Sequence, residues 1–258
     1  MLREPPRTRF TGPALIRLLT QFGLVDAPES TQGLADGLSQ WLAWTDAIAL
    51  SAALDGGAPA PTPAATCSFS LAGAEREFAR VRTTLAEAID ADFLPALARP
   101  QRGSAPAPAI DTTTRPGTDY APYRQRHLAR QKAIEAGIAR LRGQLRGALA
   151  GGAPPLRKLA AVDAVLEQVV GAREQHLLSK LPSLLERHFE RLRRAAGALA
   201  APGVSDALPA PAQPTAPAWL DVFHKDLHQV LLAELELRLQ PAEGLLDALR
   251  SRQPAHHE

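Results

Sequence analysis

His224 and His228 stand four residues apart in the stretch HKDLH, so on a helix both imidazoles face one way. That is metal-ligand spacing. The zinc-protease version of it sets a Glu directly after the first His, where this chain has Lys225. A cation between the two ligands opposes a metal, and Asp226 lies off the shared face. His127, His176 and His188 sit on helices with no second ligand at a suitable spacing, and His256 and His257 close the chain. Cys67, the single cysteine, lies in TCSFS with no basic neighbour in sequence to favour the thiolate. One cysteine excludes an intrachain disulfide framework and a multi-thiolate metal site. With one imperfect histidine pair it does not complete a four-ligand zinc site. No Gly-rich phosphate loop or strand–turn–helix nucleophile motif is present. These residues point to a protein that is not an enzyme, with no catalytic residues, metal or cofactor.

The densest charge is basic. Between Asp119 and Ala150 the chain carries Arg124, Arg126, Arg130, Lys132, Arg140, Arg142 and Arg146 against the acids Asp119 and Glu135, with Tyr120 and Tyr123 at the start. Cations on one helix beside aromatic rings suit phosphate tracking and base stacking. The same residues also suit a solvated face whose arginine stems cover apolar surface. The mixed cluster ERHFERLRR, from Glu186 to Arg194, reads the same two ways. Asn is absent and Lys occurs only at 132, 158, 180 and 225. The Ala, Arg, Gly and Pro bias fits a high-GC coding sequence, so arginine content alone is no nucleic-acid signal. The formal net charge is +2, too near balance to name a partner. Charge is unevenly placed, however. No Arg or Lys occurs between Leu18 and Glu75, where Asp26, Glu29, Asp36, Asp46 and Asp55 fall. The basic block is the natural complement of that acidic third, within the chain or across a dimer.

The elements that must position these residues are helices. Three Pro-rich stretches divide the chain at residues 56–66, 100–118 and 197–218. Proline blocks helix continuation, and these stretches offer little to bury, so they read as flexible linkers. The division runs as an N-terminal helical block over 1–56, a linker over 57–66, a second block over 67–99 and a disordered linker over 100–118. A long helical hairpin over 119–196, a disordered linker over 197–218 and C-terminal helices over 219–258 complete one composite domain. In the second block Leu71, Ala74, Phe78, Val81, Leu85 and Ile89 recur at helical spacing. In the hairpin Tyr123, Ile134, Ile138, Leu141 and Leu145 form a coiled-coil-like line. GGAPP (Gly151–Pro155) turns the chain into a helix bearing Leu159, Val162, Leu166, Val169, Leu177, Leu181, Leu184 and Leu185, which Pro182 should kink. ELELRL (Glu234–Leu239) alternates like a strand, but Leu227, Leu231 and Leu235 carry helical spacing through it. The last block is expected to stop at Pro241, with a short helix after it. The fold class is all-α, a helical bundle with long coiled-coil-like helices joined by Pro/Ala-rich linkers.

Ser39–Gly56, SQWLAWTDAIALSAALDG, holds two of the three tryptophans and one acid near its middle. It has about the length of a membrane span. Asp46, whose charge would cost roughly 2.5–3.5 kcal/mol at the bilayer centre, argues against insertion. On a helix Leu34, Leu38, Trp41, Ile48 and Ala52 share one face, widened by Leu42 and Ala49, while Trp44 and Ala47 lie elsewhere. A core helix is the first expectation. Trp41 then packs inside, Trp44 meets a neighbouring helix or a partner, and Asp46 accepts an indole hydrogen bond or pairs with an arginine.

The run ALIRLL (Ala14–Leu19), APEST (Ala27–Thr31) and LSQWLAWTDAIALSAAL (Leu38–Leu54) resembles an uncharacterised proteobacterial family, number 3348 in the domain-of-unknown-function series. The resemblance brings no catalytic residues. It implies a cytoplasmic accessory of an envelope assembly with MotA/TolQ/ExbB-like and OmpA-like members. The N-terminus imitates a signal peptide, but Arg17 interrupts its apolar run and Glu4 dilutes the basic region, so a cytoplasmic protein is expected. The functional expectation is a helical scaffold or adaptor engaging protein partners, a homo-oligomer being one form of that, with Trp44, Asp46, Arg140, Arg142 and Arg146 as partner-binding residues. The alternative is a nucleic-acid-binding regulator using the basic helices.

Overall fold

The computed structural model describes residues 14–26, 44–55, 70–97, 119–199 and 217–251. Within them the secondary structure is helical: α1 (Ala14–Gln21), α2 (Trp44–Leu54), α3 (Leu71–Leu97), α4 (Ala121–Ala150), α5 (Pro154–Leu178), α6 (Leu181–Leu199) and α7 (Ala218–Arg250). The fold is an all-α bundle. The three Pro-rich stretches lie outside the described residues except at their edges, where α6 runs on through Gly197, Ala198 and Leu199 and α7 begins at Ala218.

The sequence of α7 explains its central place. Leu220, Phe223, Leu227, Val230, Leu231, Leu235, Leu239, Ala242, Leu245, Leu246 and Leu249 are all buried. Between Val230 and Leu235 the buried residues spread over more than one face. A helix apolar on several sides must be surrounded, and α7 packs against α1, α3, α4, α5 and α6. Pro241 does not end it. Proline removes one backbone donor and strains the preceding turn, but the apolar line resumes immediately at Ala242, Leu245 and Leu246. Burial of that last stretch outweighs the local cost, and Pro241 itself faces solvent. ELELRL is helical, as its leucine spacing requires.

The second helix of the core is α4. Its buried line is His127, Gln131, Ile134, Ile138, Leu141, Leu145 and Leu149. Three- and four-residue steps keep this line on one face toward α7. Against both lies α3, with Ala74, Val81, Ile89 and Phe93 buried and Leu71, Phe78 and Leu85 packed beside them. Ser70 caps α3, its Oγ accepting from the Gly73 amide at 3.1 Å.

The turn over Gly151–Ala153 reverses the chain into α5, which starts on Pro154 and Pro155. The long helix expected to kink at Pro182 is two helices. α5 ends at Leu178, and α6 begins at Leu181 after the Ser179–Lys180 turn. Pro182 thus falls in a first helical turn, where its missing amide costs no intrahelical bond. The leucine line expected to be buried along α5 is not. Leu159 and Leu177 are exposed, Val162, Leu166 and Val169 are half-buried, and the buried positions are Ala160, Asp163 and Leu178.

α1 ends in a left-handed glycine. Gly23 has φ +62°. Its amide donates to Thr20 O at 2.8 Å and the Leu24 amide to Leu19 O at 2.9 Å, the paired bonds of a Schellman stop. That turn sets Leu15 and Leu19 into the core.

Candidate functional site

The residues singled out from sequence separate into two places. Trp44 and Asp46 are on α2, and Arg140, Arg142 and Arg146 are on α4. α2 packs against α5, and of its residues only Ala53 is buried. Trp44 is 81% exposed, Ile48 54% and Leu54 45%, and Ala47, Ala49 and Ala52 are exposed as well. The expected core helix is therefore an outer helix over the described residues, and Ile48, placed on the core face by spacing, faces solvent. The physical reason lies in the sequence. With apolar residues on every side, periodicity selects no inward face. Asp46 is half-buried in the first turn. Leu34, Leu38, Trp41 and Leu42 lie outside the described residues, as does Cys67.

The arginines of α4 are largely taken up within the chain. Arg142 Nη2 donates to Asp163 Oδ1 at 2.7 Å. Arg146 Nη1 donates to Asp163 Oδ2 at 3.0 Å and to Glu167 Oε2 at 2.5 Å. The Arg142 and Asp163 side chains are each only 11% exposed. This is a clamp across the α4–α5 hairpin. Arg130 likewise forks onto Asp92 of α3, at 2.5 and 2.8 Å. Arg140 stays exposed. The hydrogen-bonded acids of these basic side chains thus come from α3 and α5.

Tyr120 and Tyr123, the stacking groups of the nucleic-acid alternative, belong to the core. Tyr120 is buried and donates its hydroxyl to Pro182 O at 2.6 Å. Burial pushes that phenol up to about 13 in pKa direction, well beyond the ordinary tyrosine range. Both rings pack on Phe189 and Phe223, and Trp219 meets Phe189 edge-on at 5.1 Å. This cluster joins the starts of α4 and α7 to α6.

The histidines are spent on packing. His224 is buried and shares a hydrogen bond of 3.1 Å with the Tyr123 hydroxyl. His228 donates from Nε2 to Asp90 Oδ1 at 2.6 Å. The pair at metal-ligand spacing therefore engages different neighbours. Among the described residues no three His, Cys, Asp or Glu side chains converge as metal ligands. His188 sits between Asp226, 2.6 Å from Nε2, and Arg191, 2.8 Å from Nδ1. Arginine only donates and carboxylate only accepts, so the proton is on Nε2. Arg191 also donates to Phe22 O, tying α6 to the end of α1.

A polar knot lies where α4, α5 and α7 meet, and sequence reading missed it. Glu234 is completely buried. Gln131 Nε2 donates to both of its oxygens at 3.1 Å, and Arg238 pairs with it at 3.0 Å. Burial holds the Glu234 carboxyl above the usual carboxylate range, against the pull of Arg238 and Gln131. His127 Nε2 is 3.7 Å from Glu234, beyond hydrogen-bond length, and neither ring nitrogen has a protein partner. Burial, and then Arg238, push the His127 imidazole down to about 4, so it is neutral at pH 7. The two residues are neighbours, not an ion pair. A cleft of about 280 Å³ opens beside the knot, lined by Glu135, Arg142, Glu167, Glu174, Gln175 and Arg238 among others. Its charged groups mostly satisfy one another: Gln175 donates to Glu135 at 3.0 Å and Arg238 lies 3.9 Å from Glu174.

What remains without a structural job is the outer face of α2. The model of a family described as Protein of unknown function (DUF3348) matches residues 1–251. The chain belongs to that family. Comparison with curated proteins and with solved structures gives no match. Membership thus supplies a class without a chemistry, and the α2 face is the candidate that geometry alone puts forward. Among the described residues no helix is long and apolar enough to cross a membrane.

Proposed function

We propose that this protein is a non-enzymatic helical scaffold or adaptor, cytoplasmic, that engages protein partners through the outer face of α2. One observation carries the reading: an 11-residue helix with a single acid and no base presents Trp44 at 81% exposure and Ile48 at 54% on the side away from the bundle. Exposed large apolar side chains grouped on one element mark interaction surfaces, and tryptophan is among the residues that dominate binding energy at interfaces. Most ionisable groups brought together elsewhere are consumed by the fold, as the α4–α5 clamp and the His188–Asp226 pair show. The envelope assembly implied by the family resemblance is the first place to look for the partner.

The test is retention of host proteins on the immobilised chain, from soluble and membrane fractions, with wild type beside Trp44→Ala and Ile48→Asp. Specific proteins held by wild type and lost from both variants support the adaptor. Identical retention by all three refutes it. A titration with duplex and single-stranded DNA runs alongside. Sub-micromolar binding that falls steeply with salt assigns the protein to nucleic acid instead.

A further inference from the structure

We infer that the first partner of the α2 face is a second copy of this chain, docked as an antiparallel pair of α2 helices. This rests on the proposal that α2 is an interaction surface and names its occupant. At about 3.6 residues per turn, Trp44 and Ala53 lie about two and a half turns apart and so on opposite sides of the helix. Ala53 is the buried residue, so Trp44 points straight outward. Ile48, Ser51 and Asp55 follow Trp44 along the same stripe, with Ala47 and Leu54 beside it.

The stripe is self-complementary in shape. Its bulky residues, Trp44 and Ile48, occupy the N-terminal half, and Ser51 and Ala52 occupy the C-terminal half. A two-fold axis across the middle sets bulky on small. Trp44 meets the Leu54–Asp55 turn of the second copy, and Ile48 meets its Ser51. The match extends to polar atoms. Ser51 Oγ donates to Asp55 Oδ2 at 3.4 Å, which holds the carboxylate on the stripe. The indole N–H of the opposing Trp44 is a donor placed to reach it. An isologous contact of this kind closes at two copies.

The area suffices for a weak dimer. Trp44 alone leaves on the order of 200 Å² uncovered. With Ile48, Leu54, the exposed alanines and the rim of Ser51 and Asp55, the stripe comes to roughly 500 Å² per copy, so pairing removes about 1,000 Å², the lower end for a specific interface. That size fits a reversible, micromolar dimer.

Sedimentation of the full chain tests this, together with engineered cross-linking. Wild type should pass from monomer to dimer between about 1 and 100 μM. Trp44→Ala and Ile48→Asp should each weaken dimerisation at least about tenfold, the scale of a truncated hot spot, with helical circular dichroism unchanged. In a Cys67→Ala background, Ser51→Cys should oxidise to a covalent dimer. Thr45→Cys should not, because antiparallel pairing separates its two copies by about 13 Å along the axis, beyond disulfide reach. A wild type that stays monomeric throughout, a dimer that survives both face variants, or cross-linking at Thr45 and not Ser51 overturns the inference. If the chain is monomeric yet retains a host protein through Trp44, the adaptor stands and self-pairing falls. If it dimerises as described and retains nothing else, self-pairing stands and the adaptor falls.

Discussion

At His127 an imidazole is completely enclosed and neither nitrogen finds a protein partner. A buried polar group without a hydrogen bond costs about 1–3 kcal/mol. Leucine is close in volume and fits the apolar line of α4, so His127→Leu should raise stability by about 1–2 kcal/mol at pH 7.5 in urea unfolding. The effect should grow in acid, and the sign follows from linkage. The folded-state value, about 4, lies below the ordinary 6.5 of the unfolded chain. Between those values the unfolded chain takes up a proton that the folded chain refuses. The stability contributed by the neutral imidazole is therefore fully present above about 6.5 and is lost as pH falls toward 4. It amounts to on the order of 3 kcal/mol across the window. Glu234 acts the other way, because its raised carboxyl favours the folded state as it protonates. His127→Leu should thus show a shallower loss of stability between pH 6.5 and 5 than wild type. A variant less stable than wild type at pH 5 would sink this account. The signal for the knot was present in the sequence. Tyr123, His127, Gln131 and Ile134 continue one helical line, but polar residue types concealed it when only apolar positions were followed.

The helices as elements were legible because leucine spacing and proline positions specify them directly. The lines through α3 and α4 are the buried ones, and α5 starts on its proline pair. Two expectations failed for a common reason, since local sequence does not say which neighbour covers a face. The apolar line of α5 lies on the outer side because Asp163 and Ala160 face α4 instead, drawn there by Arg142 and Arg146. That clamp is testable. Asp163→Ala leaves two arginines with Glu167 alone, and breaking a buried pair costs about 3–5 kcal/mol. With partial exposure and a remaining partner, a loss of about 2–3 kcal/mol is expected in thermal or urea unfolding. A change under about 0.5 kcal/mol would mean that apolar contacts hold the hairpin without it. Pro241 was read as a stop because the local rule is strong, and the buried stretch beyond it overrode that rule. Its side chain is exposed, so Pro241→Ala should restore a backbone bond at no packing cost and stabilise α7 by about 1–3 kcal/mol. An unchanged or lower midpoint would show that the bend at Pro241 is needed for packing.

Across the whole molecule, stability is graded by how many neighbours each helix has. α7 touches α1, α3, α4, α5 and α6, while α2 lies against α5. Opening α7 exposes the largest part of the core, including Phe223, Leu227 and Leu231. Opening α2 uncovers only Ala53 and the half-buried line on α5. Local unfolding free energies follow such differences, with core helices near the global value and thinly packed elements near zero. Hydrogen exchange at low concentration should therefore place the amides of Leu227–Leu239 in the slowest class, exchanging only through global unfolding. Those of Ala47–Leu54 should exchange fastest among the described helices. The same gradient ties packing to the proposed role, because an element with little left to lose in the monomer is the one that a partner can order. Raising the protein concentration through the expected dimerisation range should slow exchange in α2 and leave α7 unchanged, since mass action stabilises only what the contact covers. Trp44→Ala should abolish that concentration dependence. Equal protection of α2 and α7 at low concentration would show that α2 is held from more sides than α5 alone, and its outer face would then have no partner to find.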